Sequence, residues 1–352
     1  MTTAILTRAS LSVSGADRES GAPWAEAVES LRGSGLAHAP EWLTVIRETY
    51  GHDPLYLSAE DGRGRRAVLP AFVVRRPMGG TVVSSMPFLD GGGPCGATGE
   101  LADALVTRLL DESRRRGAAA VELRCAQRLA VAGEPMEHKV NLTLPLPADA
   151  GRLWAQLDGS VRNQIRKADK AGLSVTLGGA EQLDAFYGVF AERMRELGSP
   201  VHARRLFTAI FDAFGTRART VVVRQGDTAV GGLVALAFKD GLTVPWASCA
   251  SAYRRLCPNM LLYWQTLRAA CADGFRRFDF GRSTRGSGTY RFKRQWGAME
   301  EPLFWYTIPT SGRPRPAAST RPRSVFLAEA WRRLPLAVTC SLGPRIRKYL
   351  TQ

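Results

Sequence analysis

The pattern of apolar and polar residues divides the chain into helical and extended segments. Apolar residues at helical spacing predict helices over residues 38–50, 101–117, 153–171, 183–197, 204–214, 258–273 and 324–333. Short alternating or continuous apolar runs predict strands within residues 1–23 and over 56–59, 67–74, 82–88, 119–124, 138–144, 175–177, 220–224, 231–238, 242–247, 278–280 and 303–308. Hairpin-forming strands mixed with helices predict an α+β fold rather than alternating βαβ units.

The same order of elements occurs in both halves, which predicts two domains followed by a tail. We expect an N-terminal domain over residues 1–150 and a second domain over residues 151–310, with 303–308 as its closing strand. Thr310–Arg323 is rich in proline and arginine, which predicts an extended linker within the tail, residues 311–352. The rest of the tail is basic and amphipathic and suits an anionic membrane surface; a helix docked on the protein's own body is the alternative.

The excess of positive over negative charge lies in the second part of the chain. The formal net charge is +16, and residues 1–150 carry 16 Lys+Arg against 18 Asp+Glu. Residues 151–310 carry 23 against 13, and residues 311–352 carry 9 against 1. This asymmetry predicts a polyanionic partner, such as nucleic acid, a phosphorylated precursor or an anionic membrane; a solvated basic surface would give the same composition.

Other features of the sequence narrow the class of protein. The six cysteines are dispersed and form no C-x-x-C pair, which predicts reduced thiols and a cytoplasmic location. The four histidines are equally scattered, so we expect no metal site. The N-terminus lacks the basic start and apolar core of a signal peptide, and no apolar run reaches the ~18 residues of a membrane helix.

Residues 275–305 carry the highest concentration of candidate chemistry. Two phenylalanines flank Asp279, the pattern of a buried strand that ends in a charge. A glycine-rich loop with Arg282 and Arg285 follows, and then an aromatic and cationic cluster: Tyr290, Phe292, Lys293 and Trp296. This order predicts a site that grips a polar substrate; a strand, a solvated loop and a core-packed aromatic turn are the structural alternative.

Several separated motifs resemble those of one family of transferases. Asp279-Phe-Gly-Arg-Ser, Gly288-Thr-Tyr-Arg-Phe-Lys293 and Arg294-Gln-Trp-Gly297 are similar to the C-terminal domain of Fem-type peptidyl transferases and to BioF2-like acyltransferases of the GNAT superfamily. In the first half, Tyr50-Gly-His52 and Val121-Glu-Leu-Arg124 resemble the FemAB-like branch associated with exosortase/PEP-CTERM and exopolysaccharide systems.

This resemblance implies tandem GNAT-like domains and transfer of an acyl group onto an amine. Fem-type members take an aminoacyl group from charged tRNA and place it on an amine of a peptidoglycan precursor. No cofactor is then bound permanently, and the acyl donor is a co-substrate: aminoacyl-tRNA or, alternatively, acyl-CoA. The implied partner is charged tRNA or a phosphorylated envelope precursor. The protein would bind it in the cytoplasm or at the inner face of the membrane.

The expected catalytic residues follow from the needs of aminoacyl transfer. The reaction requires a deprotonated amine, a stabilised oxyanion and a protonated leaving oxygen. The resemblance places Lys293 near the reacting carbonyl, where its charge would stabilise the oxyanion. Asp279 would accept a proton or orient the amine, although capping of the loop through backbone amides is the alternative. Tyr290 would donate to the leaving oxygen, unless it is a packed tyrosine.

The remaining site residues are expected to bind substrate. Phe292 and Trp296 hold Lys293 between them, and Arg282 and Arg285 suit bidentate pairing with phosphate. One further set lies on a single face of the helix predicted over 153–171 and suits a nucleic-acid backbone or a pyrophosphate: Arg162, Arg166 and Lys167. As solvated helix charges, these three residues would need no function.

Two other functions remain open. A coenzyme-A-dependent N-acyltransferase of GNAT type grips pyrophosphate with a glycine-bearing motif at a helix start. Here the corresponding residues, Arg254-Arg-Leu-Cys257-Pro258-Asn259, lack both glycines, and Pro258 lacks an amide hydrogen. The other alternative is a GNAT-like module without catalytic activity that binds an anionic glycan or a lipid-linked precursor.

Overall fold

A computed structural model describes residues 10–14, 21–77, 80–96, 98–130, 133–311 and 322–351. These residues cluster into two compact units. Unit 1 comprises Met1–Lys139, Pro302–Pro316 and Tyr349–Gln352, and unit 2 comprises Val140–Glu301 and Ala317–Lys348, as far as their residues are described.

The elements follow one another along the chain as an irregular mixture of helices and strands. The helices are α1 Gly21–Ser30, α2 Glu41–Tyr50, α3 Gly99–Arg115, α4 Ala150–Gln156, α5 Gly159–Lys170, α6 Leu183–Glu196, α7 Arg204–Phe214, α8 Pro258–Ala272, α9 Gly288–Arg294, α10 Pro322–Arg333 and α11 Leu336–Arg347. The strands are β1 Ser10–Ser14, β2 Asp53–Pro54, β3 Tyr56–Glu60, β4 Arg66–Leu69, β5 Phe72–Arg76, β6 Gly80–Ser84, β7 Cys95–Gly96, β8 Ala118–Cys125, β9 Lys139–Pro145, β10 Leu173–Gly178, β11 Ala218–Gln225, β12 Thr228–Phe238, β13 Gly241–Cys249, β14 Arg277–Thr284, β15 Met299–Pro302 and β16 Phe304–Pro309.

Unit 1 is built on two sheets. One has the strand order β1-β3-β4-β7, and its neighbours are antiparallel. The other has the order β16-β8-β6-β5-β2, in which β6 and β8 are parallel and the other neighbours antiparallel. Leu101, Leu105 and Leu109 lie one turn apart on α3 and pack into the core with these strands.

Unit 2 is built on one sheet with helices on both faces. Its strand order is β10-β11-β12-β13-β14-β9-β15, antiparallel from β10 to β13 and parallel between β13 and β14. Leu233 and Ala235 of β12 share a core with residues of α5 and α8. Gly232 points to the other face, where a Cβ atom on it would lie 3.3 Å from the ring of Phe186 in α6. Successive residues of β12 therefore pack against helices on opposite faces of the sheet.

The two parallel strands of this sheet separate at their carboxyl ends. Gly241, Leu242 and Thr243 of β13 pair with Arg277, Phe278 and Asp279 of β14. Beyond Thr243, β13 continues to Cys249 beside β12, while β14 continues to Thr284 without pairing to β13. The strands thus diverge after Thr243 and Asp279, and β13 leads at its far end through a 3-10 turn, Ser251–Leu256, into α8.

The two tail helices pack on unit 2, as expected of a tail docked on the protein's own body. Ala328 of α10 lies against Gly198, where a Cβ atom would come within 2.7 Å of the Ala328 carbonyl oxygen. Arg347 at the end of α11 donates from Nε to Nε2 of His202 at 3.0 Å. Residues 312–321 of the predicted linker lie outside the described residues, as do residues 1–9 and 15–20 of the first segment.

The structure differs from the predicted elements at several places. Residues 67–74 form β4 and β5 of different sheets, because the chain turns at Pro70, which cannot donate a ladder hydrogen bond. The helix predicted over residues 153–171 is divided into α4 and α5 by extended backbone at Leu157. The strand predicted to close the second domain, β16, instead pairs with β8 of unit 1.

The sequence predicts no helix after residue 333, yet α11 forms there and continues through Gly343 and Pro344. Within the described part of the chain, each helix is too short or too polar to cross a bilayer.

We predict that α11 docks through the absence of a side chain at Gly343. A Cβ atom there would lie 2.9 Å from Val201 N and 3.0 Å from its Cγ1. Gly343→Ala should therefore lower the free energy of unfolding by about 1–3 kcal/mol, measured by urea denaturation. The control is Gly188→Ala in α6, where a Cβ atom meets nothing within 4 Å and should raise stability by up to about 1 kcal/mol. Equal stabilities of the two variants would contradict this docking mode.

Candidate active site

Three elements meet at the carboxyl end of β14: the strand itself, α9 and the first turns of α8. Ser287 caps α9 by accepting a hydrogen bond from Tyr290 N at 3.2 Å. The ring of Phe292 lies 5.1 Å from that of Tyr263 in α8, and Gln295 Nε2 donates to Met260 Sδ at 3.7 Å. The aromatic cluster seen in the sequence is therefore a short helix packed on α8. The sequence predicts no helix there, and Ser287, which is preferred at helix N-termini, is the local signal that was available.

Lys293 ties α9 to the end of β14. Its side chain is buried, with the residue 9% exposed. Nζ donates to the carbonyl oxygens of Gly281 at 2.9 Å and of Arg282 at 2.8 Å. A buried ammonium group requires such acceptors, because burying an unpaired charge is costly. The predicted catalytic lysine is thus a fixed positive charge at the strand end.

Asp279 organises the backbone that carries these carbonyl groups. Its Oδ1 accepts from Gly281 N at 2.7 Å, and its Oδ2 accepts from Asn141 Nδ2 at 2.9 Å. Gly281 has φ +72°, a left-handed conformation that favours glycine. Burial raises the pKa of Asp279, and the hydrogen bonds from Asn141 and Gly281 partly oppose that rise. These contacts are those of the loop-capping alternative; a catalytic role for Asp279 stays a prediction.

Tyr290 and Arg285 are joined by a residue that the sequence did not single out. The hydroxyl of Tyr290 donates to the carboxylate of Glu300 in β15, and Arg285 Nε donates to the same carboxylate at 3.0 Å. Hydrogen bonding to Glu300 raises the pKa of Tyr290, while Tyr290 and Arg285 lower the pKa of Glu300. The acidic pair Glu300-Glu301, alone within a basic stretch, was the available signal.

Glu301, the residue after Glu300 in β15, accepts hydrogen bonds from residues of β14 and β9. It accepts from Arg277 at 2.6 Å and from Thr143 Oγ1 at 2.9 Å. Because Thr143 and Asn141 lie on β9, between β14 and β15 in the sheet, their polar side chains continue the site across three strands.

Trp296 and Phe292 differ in exposure. Trp296 is 2% exposed and belongs to the core of unit 2, while Phe292 is partly buried against it. The Nε1 atom of Trp296 is buried without a hydrogen-bond partner among the described residues. The partly exposed position of Phe292 is compatible with contact with a substrate. Contact between Trp296 and a substrate would require movement of α9, because Trp296 is buried. Both contacts stay predictions.

The basic residues of α5 form a separate group. Arg166 lies with its guanidinium 5.5 Å from the ring of Trp154. The side chains of Arg162 and Lys167 make no hydrogen bond or ion pair with the residues that the structure describes. Val161 and Ile165, on the opposite face, pack in the core shared with α8. Within the described ranges, no hydrogen bond joins these basic side chains to β14 or α9.

The start of α8 departs from a glycine-bearing anion loop in its geometry as well. Cys257 has φ +60°, and its amide donates to Arg254 O at 3.1 Å. Pro258 is the first residue of the helix and offers no amide hydrogen. Arg254 and Arg255, both exposed, precede it, so positive side chains accompany the positive end of the helix dipole.

The arrangement provides a cation, a carboxylate and a tyrosine–glutamate pair around the separated ends of two parallel strands. In open sheets, ligands bind in the crevice outside the carboxyl ends of such strands. The described residues contain no cluster of histidine, cysteine or acidic side chains that could hold a metal ion.

Comparison with known proteins identifies the fold. Residues 156–294 match the family model described as "Acetyltransferase (GNAT) domain". No curated protein matches the chain.

Several solved structures are similar across most of their length. A crystal structure of FemX matches with a TM-score of 0.63 and 13% identity, covering 83% of this chain and 96% of FemX. L-PGS from Bacillus licheniformis matches with a TM-score of 0.56 and 10% identity, covering 96% and 98%. A tandem GNAT protein from the clavulanic acid biosynthesis pathway matches with a TM-score of 0.53 and 10% identity, covering 88% and 100%. The predicted tandem GNAT-like α+β fold is therefore confirmed, and residues 156–294 are similar to a GNAT-type acetyltransferase domain.

Proposed function

We propose that the protein is an acyltransferase of Fem-like type that moves an aminoacyl or acyl group onto an amine of a cell-envelope precursor. The observation that carries this proposal is the separation of β13 and β14 at Asp279, directly beside the buried ammonium of Lys293. The GNAT-type domain and the similarity to FemX over nearly its whole length support it.

The gap between the strands suits the extended part of an acyl donor. Beyond Thr243, the ladder to β14 ends, and the sheet offers space between two parallel strand ends. A thioester or ester placed there would bring its carbonyl group to the end of β14. The positive charge of Lys293 would then stabilise the oxyanion formed when the amine attacks that carbonyl.

The proposed proton transfers use the polar groups around this strand end. Tyr290 keeps its proton because the Glu300 carboxylate raises its pKa, so the hydroxyl can serve as the acid for the leaving oxygen. Asp279 holds the Gly281 amide and thereby positions the carbonyl groups that bind Lys293. The incoming amine loses its proton to solvent as the new bond forms, and Tyr290 regains a proton from solvent after it has protonated the leaving oxygen.

The proposed donor is anionic, as aminoacyl-tRNA is. Exposed Arg254 and Arg255 precede the α8 start, and Arg162 and Lys167 lie on α5, which packs on α8. These groups suit a phosphate backbone. Arg282, near the end of β14, and Arg285, in the turn after it, extend the positive charge beyond Lys293, although Arg285 is paired with Glu300 and would exchange that partner.

Acyl-CoA is the second candidate donor. The matching family model is described as an acetyltransferase and covers the start of α8, where a helix dipole favours a pyrophosphate. The left-handed Cys257 and the proline at the first helical position offer few amides to it, which favours the first candidate.

The proposed acceptor is an amine of a peptidoglycan or exopolysaccharide precursor at the inner face of the membrane.

Lys293→Met tests the proposed chemistry. We expect kcat for acyl transfer to fall about a hundredfold with little change in KM, because the fixed charge that stabilises the oxyanion is lost. Lys239→Met, the same substitution in the exposed turn between β12 and β13, should leave transfer unchanged. Circular dichroism confirms folding of both variants. Undiminished transfer by Lys293→Met would remove the catalytic assignment.

Ribonuclease treatment of the donor mixture distinguishes the two donors. If aminoacyl-tRNA is the donor, transfer measured by mass spectrometry of the acceptor should stop, and Arg254→Ala should raise KM for the donor. Transfer that persists with acyl-CoA present would favour the second candidate. Binding of an anionic glycan or lipid-linked precursor without transfer from either donor would favour the non-catalytic module.

The pH dependence of stability tests the environment of Asp279. Because its folded pKa is raised, folding binds a proton, and the contribution of Asp279 to the free energy of unfolding falls as pH rises from about 4 through the folded pKa. Asp279→Asn cannot titrate, so its stability relative to the wild type should rise over the same interval. Urea denaturation at several pH values between about 4 and 7 measures the difference. Parallel stability curves would contradict this assignment.

A further inference from the structure

The tail helices carry large apolar side chains on their outer surface. Among the described residues, eleven large hydrophobic side chains are exposed, and six of these lie in α10 and α11: Phe326, Leu327, Leu336, Val338, Leu342 and Ile346. Scattered exposed leucines are ordinary on protein surfaces, but a concentration within two neighbouring helices marks an interaction surface.

Helix α11 exposes its aliphatic side chains and buries small residues, which is the reverse of the usual arrangement. Val338, Leu342 and Ile346 are spaced one turn apart and form an exposed stripe, in which Leu342 is 40% exposed. The buried positions are instead Thr339 and Gly343. An amphipathic helix that only completes a core buries its aliphatic stripe. Here the close approach of Gly343 to Val201 docks the helix through its small residues and leaves the stripe outside.

Helix α10 follows the same arrangement. It contacts unit 2 through Ala328, which lies on Gly198, and through Arg332, whose Nε donates to Glu196 O at 3.1 Å. Phe326, at 75% exposed, and Leu327 project away from this contact. Leu197, between the two contacted residues of unit 2, is also exposed. Both helices therefore dock on residues 196–202 and turn their apolar residues to solvent.

The charge around these apolar residues identifies the occupant. Residues 322–351 contain six basic side chains and one acidic side chain, Glu329, which is paired with Arg332 and Arg333. A second copy of the chain would bring two positive surfaces together and be repelled. An anionic phospholipid surface offers both an apolar interior and complementary charge.

We propose that α10 and α11 form a docking surface for an anionic phospholipid bilayer. The outer side chains of both helices insert at the level of the lipid head groups, while the exposed side chain of Arg345, between Leu342 and Ile346, lies against lipid phosphates. This surface is independent of the proposed acyl-transfer chemistry, since none of its residues belongs to the candidate active site.

Sedimentation of the full chain with vesicles tests the proposal. The protein should sediment with vesicles made of equal amounts of phosphatidylglycerol and phosphatidylcholine, should remain in solution with phosphatidylcholine alone, and should be released by salt. Leu342→Glu should weaken vesicle binding by roughly tenfold or more, because it removes an inserted side chain and adds repulsion. Leu177→Glu in β10 is the matched control, with 44% exposure and the same charge change, and should bind as the wild type does.

Phe326→Glu provides a second variant whose side chain is remote from any core, and circular dichroism verifies the fold of each variant. The proposal is overturned if wild-type protein does not bind the anionic vesicles, or if Leu342→Glu and Leu177→Glu weaken binding equally. It is also overturned if sedimentation velocity shows a dimer that Leu342→Glu dissociates while vesicle binding is unchanged. Acyl transfer to a water-soluble acceptor should be retained by Leu342→Glu, so this result is independent of the Lys293 experiment.

Discussion

The burial of the Lys293 ammonium group between two carbonyl groups is the constraint on which the candidate site depends. Hydrogen bonds from a charged donor contribute about 1.5–3 kcal/mol each, and leaving such a charge buried and unpaired costs more. The helix α9 therefore cannot leave the end of β14 without a large loss of free energy. The left-handed backbone of Gly281 and the hydrogen bond from its amide to the Asp279 carboxylate fix the local chain direction. The carbonyl oxygens of Gly281 and Arg282 are thereby oriented toward Nζ of Lys293.

The separation of β13 and β14 is stabilised by the aromatic side chains beside it. Phe278 and Phe280 of β14 are almost fully buried, and Tyr263 of α8 stacks on Phe280 with ring centroids 5.5 Å apart. Burying each such side chain contributes about 1.5–3 kcal/mol. The sheet can therefore lack backbone hydrogen bonds between β13 and β14 beyond Thr243 and still be rigid. Rigidity is a requirement for a site that must hold a reacting carbonyl group in place.

The sequence predicts the parts of this structure that depend on local periodicity. Helices α6, α7 and α8 begin and end within one residue of their predicted bounds, and the order of elements with the motif resemblance led to the correct fold class. The seven-residue α9 was not predicted, because two turns are too short for a periodic signal. Asn141 and Glu300 were missed because strand pairing brings them to Asp279 and Tyr290, and pairing between distant strands leaves no spacing to recognise.

The position of β16 in the sheet affects how unit 1 folds during synthesis of the chain. The edge of β8 is covered by a strand that leaves the ribosome only after residues 156–294, the part that matches the GNAT family model, have been synthesised. Until then, a long and largely apolar strand presents open backbone donors and acceptors, the kind of edge that recruits other chains. Folding of the first unit must therefore be completed late, and any protein fragment that ends near residue 150 would retain that unprotected edge.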